Sequence, residues 1–393
     1  MQENVSQKIL FVDDEPDVEL LMKQRFRQQL REKKFIFYFA QNGIQALKIL
    51  AQESDIRMVV SDINMPEMDG LTLLRNLNEK YPNIMPIIVS AYGDMTNIRT
   101  AMNLGAFDFV TKPINFGDLT ITIDKTLSHV QNLLNSKKMQ NRLEGILQEL
   151  NVAAHIQQSI LPKTFIENDH IQLYAKMIPA QEIGGDFYDF FWLDEEKIRL
   201  AFLIADVSGK GVPAALFMTV CRTLIRSYAR AASSPSHTLM QVNQALEKDN
   251  FNMMFVTLFY GVLDTQTGRV EYINGGHNPP YIIRSEGNVE LIPTTHDMAL
   301  GIMSTNTYTL GEAHLNPNDM LFLFTDGVTE ATNPQLEYYT DKRLVLTLDE
   351  YRNLTPTELI NSMETEIGEF AAGYPQSDDI TMLSIRYLWK NKI

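Results

Sequence analysis

Residues 122–161 contain no proline and one glycine, Gly145, in a stretch rich in Leu, Asn, Gln, Lys and Glu that ends at Pro162. Nothing in it stops a helix, so it reads as one long helix dividing the chain into two parts, each needing its own core. At 393 residues, 45% of them apolar, the chain has enough material for more than one core. Leu143, Leu147, Leu150, Ala154 and Leu161 follow the four-three alternation of a coiled-coil seam, with Gln157 as its polar interruption. Leu127, Val130 and Leu134 form a second short seam in another register. A homodimer through this helix is the expectation, against the plainer one that it packs only on its own domain.

Ahead of the helix, short apolar runs alternate with amphipathic stretches: KILFVDD, MVVSD, MPIIVSA and FDFVTKP read as the first, third, fourth and fifth strands. Strands this apolar on both faces predict an α/β doubly wound, parallel five-stranded sheet covered by helices on both sides. Ligands in such sheets bind at the carboxyl ends of the strands, where Asp13, Asp14, Asp62, Ser90 and Lys112 all fall. Adjacent Asp13 and Asp14 offer the hard oxygens that one Mg2+ prefers, Asp62 is a phosphoryl acceptor, and Lys112 and Ser90 can bond the phosphoryl oxygens. The set FVDD, SDINMPEMDG, SAY and FVTKP resembles a response-regulator receiver domain. The resemblance implies a histidine kinase as phosphodonor, Asp62 as phosphoacceptor, and Phe109 as an aromatic switch residue beside Ser90 and Lys112. The first helix, LLMKQRFRQQLREKK, is long for that family.

After Pro162 the texture becomes α+β, with strands expected at IQLYAKMIPAQ, KIRLAFLIADV, FVTLFYGVLD, GRVEYINGG, YIIRS, VELIP, DMLFLFTDG and ITMLSIRYL, and helices near 213–250 and 356–372. Asp186, Asp206, Asp326 and Asp378, with Asp379 beside it, lie at glycine- or serine-flanked turns around these strands. Carboxylates gathered at one sheet edge repel one another unless cations neutralise them, and two Mn2+ or Mg2+ ions would do so while activating a water to attack phosphorus. The motifs IQQSILP, IGGDFYD, IADVSGKG, GGHNPP, LFTDGVTEA and SDDIT resemble the PPM (PP2C-like) serine/threonine phosphatases of the bacterial sporulation and stress-response branch. That likeness implies a two-sheet β-sandwich flanked by helices. It makes Asp186, Asp206, Asp326 and Asp378 metal ligands, with the backbone carbonyl of Val207 joining them and Asp379 acting from behind. His277 reads as a turn-stabilising residue rather than an acid-base one, Asp189 and Glu330 as turn caps rather than groups reaching the metals, and Lys210 as either a phosphate-steering or a solvated lysine.

The expected organisation is a receiver at 1–125, a helical linker at 126–161 and a phosphatase domain at 162–393. The expected function is a phosphorylation-controlled, metal-dependent protein serine/threonine phosphatase whose substrate, by resemblance, is a phosphoserine regulatory protein of the anti-sigma-factor antagonist type. The alternative is a non-catalytic, receiver-controlled adaptor that sequesters such a protein; relatives of that kind have lost metal aspartates that this chain keeps. A formal charge of −15 argues against nucleic acid or an anionic membrane as partner. The lone Cys221, between apolar neighbours, allows no internal disulfide and fits a cytoplasmic protein.

Overall fold

The computed structural model describes residues 6–231, 234–248, 250 and 253–388, and the chain separates into two compact units, Met1–Gly145 and Ile146–Ile393. No helix among the described residues is long and apolar enough to cross a membrane.

The first unit runs β1 (Gln7–Val12), α1 (Asp17–Arg25), α2 (Arg27–Arg31), β2 (Phe35–Ala40), α3 (Gly43–Gln52), β3 (Met58–Asp62), α4 (Gly70–Lys80), β4 (Met85–Ala91), α5 (Met95–Asn103), β5 (Asp108–Lys112) and the start of α6 (Phe116–Ile160). Its five parallel strands are ordered β2-β1-β3-β4-β5. Alternation along β1 sends Ile9 and Phe11 to one core and Leu10 and Val12 to the other, so helices must cover both faces. The long first helix breaks into α1 and α2 at Phe26, whose buried ring packs edge-on against Phe35 and Phe37. Asp69 caps α4 by accepting the Thr72 amide at 2.7 Å, which fixes the turn that follows Asp62.

Helix α6 is longer than expected, starting at Phe116, and its seams divide between the two units. Val130 is buried in the first unit and Leu127 packs against its core, so these two positions of the earlier seam serve the receiver, whereas Leu134 stays exposed. At the far end Gln157 and the following Leu161 are buried in the second unit. Gln157 is therefore no interruption of a partner-facing seam; its amide is consumed within its own unit. Leu143, Ile146 and Leu147 remain exposed.

The second unit continues with β6 (Ile171–Ile178), β7 (Phe187–Trp192), β8 (Arg199–Val207), α7 (Val212–Ala231), α8 (Pro235–Lys248), β9 (Val256–Asp264), β10 (Arg269–Gly275), β11 (Tyr281–Ile283), β12 (Val289–Leu291), β13 (Gly311–His314), β14 (Met320–Phe324), α9 (Asp326–Thr329), α10 (Thr340–Glu350), α11 (Pro356–Ala371) and β15 (Ile380–Tyr387). The expected helical region 213–250 is thus two helices, and residues 232–233 and 249 of it lie outside the described residues. Two five-stranded antiparallel sheets form, β13-β10-β9-β8-β7 and β12-β11-β14-β15-β6. Leu321, Leu323, Leu383 and Ile385 of one sheet share a core with Phe202, Ile204 and Phe259 of the other, while Phe322, Phe324 and Met382 face α10 and α11. The result is a β-sandwich with helices outside each sheet. Cys221 is buried in α7, where burial pushes its thiol up to about 12, so it is an inert core residue.

Asp189 corrects the expectation of a turn cap. It sits wholly buried in the middle of β7, a strand the sequence hides because a charge interrupts its aromatic run. Arg226 grips it with Nε at 2.5 Å and a terminal nitrogen at 2.6 Å, and Arg222 Nε lies at 3.1 Å. This pair ties β7, which follows Asp186, to α7, which follows Lys210. Asp189→Ala would strand the largely buried Arg222 guanidinium without its counter-charge, and the expected result is a loss of about 3 kcal/mol in urea unfolding.

Candidate functional site

The first unit gathers its site at the carboxyl ends of β1, β3, β4 and β5. One carboxylate oxygen from each of Asp13, Asp14 and Asp62 lies within 4.8 Å of the others. Lys112 Nζ stands 2.7 Å from Asp62 Oδ2, 3.1 Å from Asp13 Oδ2 and 3.0 Å from Glu15 Oε1. Burial alone would depress Lys112, but these carboxylates hold its pKa above the ordinary lysine value, so its charge is permanent. Burial lifts Asp13 above the usual carboxylate range, with the Glu15 amide and Lys112 offsetting part of it. Asp62 is 7% exposed, and its Oδ1 accepts the Ile63 amide at 2.6 Å, leaving Oδ2 aimed at the lysine. The Ser90 hydroxyl is buried with no hydrogen-bond partner among the described residues, an orphaned donor that a phosphoryl oxygen would satisfy. Phe109 lies half-exposed on β5, and the Lys112–Pro113 peptide is cis. Glu15 went unread in the sequence; the acidic run Asp13-Asp14-Glu15 was its only signal.

In the second unit, Asp186 precedes β7, Asp206 is the last residue but one of β8, Asp326 opens α9 after β14, and Asp378 and Asp379 precede β15. Both sheets thus contribute carboxylates to one edge. Asp186 is 2% exposed, and burial, then Asp206, push its pKa well above the usual range. Burial, then Asp326 and Asp378, raise Asp206 to about 7. Asp326 is raised by burial and then by Asp378, and exposed Glu330 by burial and then by Asp326 and Asp378. The group is nevertheless looser than the receiver trio: among the described residues no three of these acids bring ligand oxygens within 4.8 Å of one another. The nearby cation Lys210 pairs with Asp378 at 3.0 Å, donates to the Ser377 carbonyl, and its charge also acts on Asp326 and Glu330.

Hydrogen bonds fix the loop that carries Asp186. Asp379 accepts the amides of Ala180 at 2.8 Å and Gly185 at 2.7 Å, with the Asp186 amide at 3.4 Å. Its carboxylate is thus engaged by the Gly184–Asp186 loop. Thr325, buried ahead of Asp326, donates its hydroxyl to Asp186 Oδ2 at 2.7 Å and accepts the Thr381 amide. The Val207 carbonyl points toward the same loop: a Cβ added at Gly185 would stand 2.9 Å from it. Of the motif glycines, Gly209, Gly211 and Gly276 use positive φ, at +87°, +74° and +74°. Gly184 and Gly327 are required by close approach instead, since a Cβ would come within 2.3 Å of Asp379 Oδ2 at the first and 2.0 Å of the Asp379 carbonyl at the second. His277 is a buried turn residue: its amide donates to Asn274 Oδ1, its ring meets Thr257 Oγ1 at 2.9 Å, and burial lowers its pKa to about 4.

The residues fit divalent cations: each cluster offers only oxygen donors, and in the second unit burial and neighbouring carboxylates push Asp186 and Asp206 up, a penalty that a counter-ion would lift.

Comparison with known proteins finds a family match over the receiver cluster and over the second cluster except Asp186. The response regulator receiver domain family matches residues 9–124, and the stage II sporulation protein E (SpoIIE) family matches residues 196–388. Protein IcfG of Synechocystis is 29% identical over 370 residues, covering 85% of this chain and 57% of IcfG. Phosphoserine phosphatase RsbU of Bacillus subtilis is 27% identical over 273 residues, covering 69% of this chain and 79% of RsbU. The SiaA-PP2C domain of Pseudomonas aeruginosa superposes with a TM-score of 0.55 at 23% identity, covering 62% of this chain and 98% of that domain, a likeness of fold. The chain carries an N-terminal response-regulator receiver domain, joined by a long helix to a domain of PP2C-like fold that matches the SpoIIE family over residues 196–388.

Proposed function

We propose that this chain is a metal-dependent phosphoprotein phosphatase, acting on phosphoserine or phosphothreonine and set by phosphorylation of Asp62. The observation that carries the reading is the delivery of Asp186, Asp206, Asp326 and Asp378 to one edge by both sheets, where burial and mutual repulsion disfavour their charges and a divalent cation would relieve them. Asp186, Asp206, Asp326, Asp378 and the Val207 carbonyl would hold Mn2+ or Mg2+. When bound, the ions supply neutralisation of the phosphoryl oxygens and polarisation of an attacking water. The chain's own groups do the rest. Thr325 and Asp379 hold Asp186 and its loop in place, and half-exposed Lys210 sets a positive charge at the rim that draws an anionic phosphoester.

The substrate we propose is a small phosphoserine regulator of the anti-sigma-factor antagonist kind, supported by the likeness to phosphoserine phosphatase RsbU. In the receiver, Asp13, Asp14 and one Mg2+ would present Asp62 to a histidine kinase, with Ser90 and Phe109 responding to the phosphoryl group. Domain limits of 1–125, 126–161 and 162–393 accompany this reading, with the exposed Leu143 and Leu147 offering a dimer stripe.

Hydrolysis of a phosphoserine peptide and of an aryl phosphate, with Mn2+ or Mg2+, tests it. Phosphate release should require the metal and fall at least a hundredfold in Asp326→Asn, the loss of one ligand carboxylate. Absence of turnover by the wild type with either metal and both substrates would overturn it and leave the adaptor reading.

A further inference from the structure

We propose that Gln157 is a positioning residue for the candidate metal site, clamping the Gly184 peptide so that Asp186 is held ready for a divalent cation. The proposal rests on the reading of Asp186 as a ligand. Gln157 lies in the last turn of α6 and is 6% exposed. Its Nε2 donates to the Gly184 carbonyl at 2.6 Å, and its Oε1 accepts the Gly184 amide at 3.2 Å. One side-chain amide thus satisfies both polar groups of one peptide residue, as a neighbouring strand would. A buried amide is costly unless paired, so its partner is specified.

Gly184 has no other freedom. A Cβ there would lie 2.3 Å from Asp379 Oδ2 and 2.4 Å from Met177 Cε, so the chain passes between them only as glycine. Asp379 pins the next two amides, those of Gly185 and Asp186. Gln157 and Asp379 therefore hold three consecutive residues from two different places, α6 and the turn just before β15. Asp379 belongs to the acidic cluster, whereas Gln157 carries no charge and reaches no candidate ligand oxygen directly. It acts through the backbone, and it makes the end of α6 part of the support of the metal loop.

The experiment uses the full chain with Asp13→Asn in every protein, so that the receiver's own cation site is weakened and Mn2+ titration calorimetry reports the second unit. Gln157→Met keeps the length and apolar packing but loses both bonds. Gln158→Met, one position along on an exposed face, is the control. The Mn2+ dissociation constant should rise about ten- to a hundredfold in Gln157→Met, the usual cost of losing a group behind a metal ligand, and stay unchanged in Gln158→Met. Aryl phosphate turnover should need correspondingly more Mn2+ and recover towards the wild-type rate at saturation. An unchanged dissociation constant, with or without a lowered metal-free melting temperature, would overturn the proposal by making Gln157 a packing residue only. A parent protein that binds Mn2+ without turnover would sink the phosphatase reading, while the change in binding would still decide the role of Gln157. A parent that binds no Mn2+ would sink both.

Discussion

Asp206→Asn should move stability and activity in opposite directions, raising the melting temperature of the metal-free protein at pH 8 while lowering metal-dependent turnover by about a thousandfold or more. The stability half follows from linkage. An acid whose pKa is higher in the folded state than in the unfolded chain binds its proton more tightly when folded, so ionisation works against folding. For Asp206, raised from 3.8 to about 7, the penalty is absent below about pH 4, grows between about pH 4 and 7, and is fully present above. Asp186 and Asp326 are raised by the same causes and act in the same direction. Removing the charge at position 206 also relieves its neighbours, because they repel it in turn. A gain of about 1–2 kcal/mol corresponds to a rise of roughly 2–8 °C in a unit of this size. Wild-type protein without metal should also melt lower at pH 8 than at pH 5, and Asp206→Asn should flatten that dependence. Saturating Mn2+ should reverse the ranking, since mass action stabilises the protein that binds better. Scanning calorimetry at the two pH values, with and without Mn2+, measures all of this. A lower metal-free melting temperature for Asp206→Asn at pH 8 would mean that the fold itself compensates these charges, and the metal-site reading would lose its main support.

The two clusters were unequally legible in the sequence, for a physical reason. In the receiver each functional residue terminates or follows its own apolar run, so one-dimensional pattern and three-dimensional site coincide; only Glu15 escaped. In the second unit the aspartates were visible because glycines or a serine flank them, but what holds them was not. Asp379 bonds amides nearly 200 positions away, and Gln157 meets Gly184 across 27. Such pairings depend on how strands register and helices dock, and no local pattern encodes them. Gln157 was misread for the same reason: heptad spacing shows which face of a helix is apolar, not what that face meets. Asp189 was hidden by the opposite effect, since a buried charge in a strand breaks the run that would have announced β7, and its partners Arg222 and Arg226 lie on a helix more than 30 residues on.

Asp62→Asn should abolish phosphoryl uptake altogether and, with it, any response of the distant site. With acetyl phosphate and Mg2+, wild-type protein should acquire one acid-stable, base-labile phosphoryl group, visible as a retarded band on a phosphate-binding gel, and Asp62→Asn should acquire none. The geometry gives the reason. Asp62 Oδ1 is occupied by the Ile63 amide, while Oδ2 faces the permanently charged Lys112. An incoming phosphoryl group would meet that lysine and the unpartnered Ser90 hydroxyl, both of which bond its oxygens better than they bond a carboxamide. Lys112 now serves Asp13, Glu15 and Asp62 at once, so a phosphoryl group that draws it away changes the charge balance around three acids. That redistribution is the local event from which a switch can start, and α6 begins only four residues beyond Lys112. In the coupled reading, metal-dependent turnover should therefore change at least severalfold on addition of acetyl phosphate in wild type and not at all in Asp62→Asn. Each protein's own unphosphorylated turnover is the reference, so the response is read as a ratio within each protein. Wild-type protein that takes up phosphoryl groups without any change in turnover would separate the two halves functionally, leaving a working receiver and a phosphatase that does not answer to it.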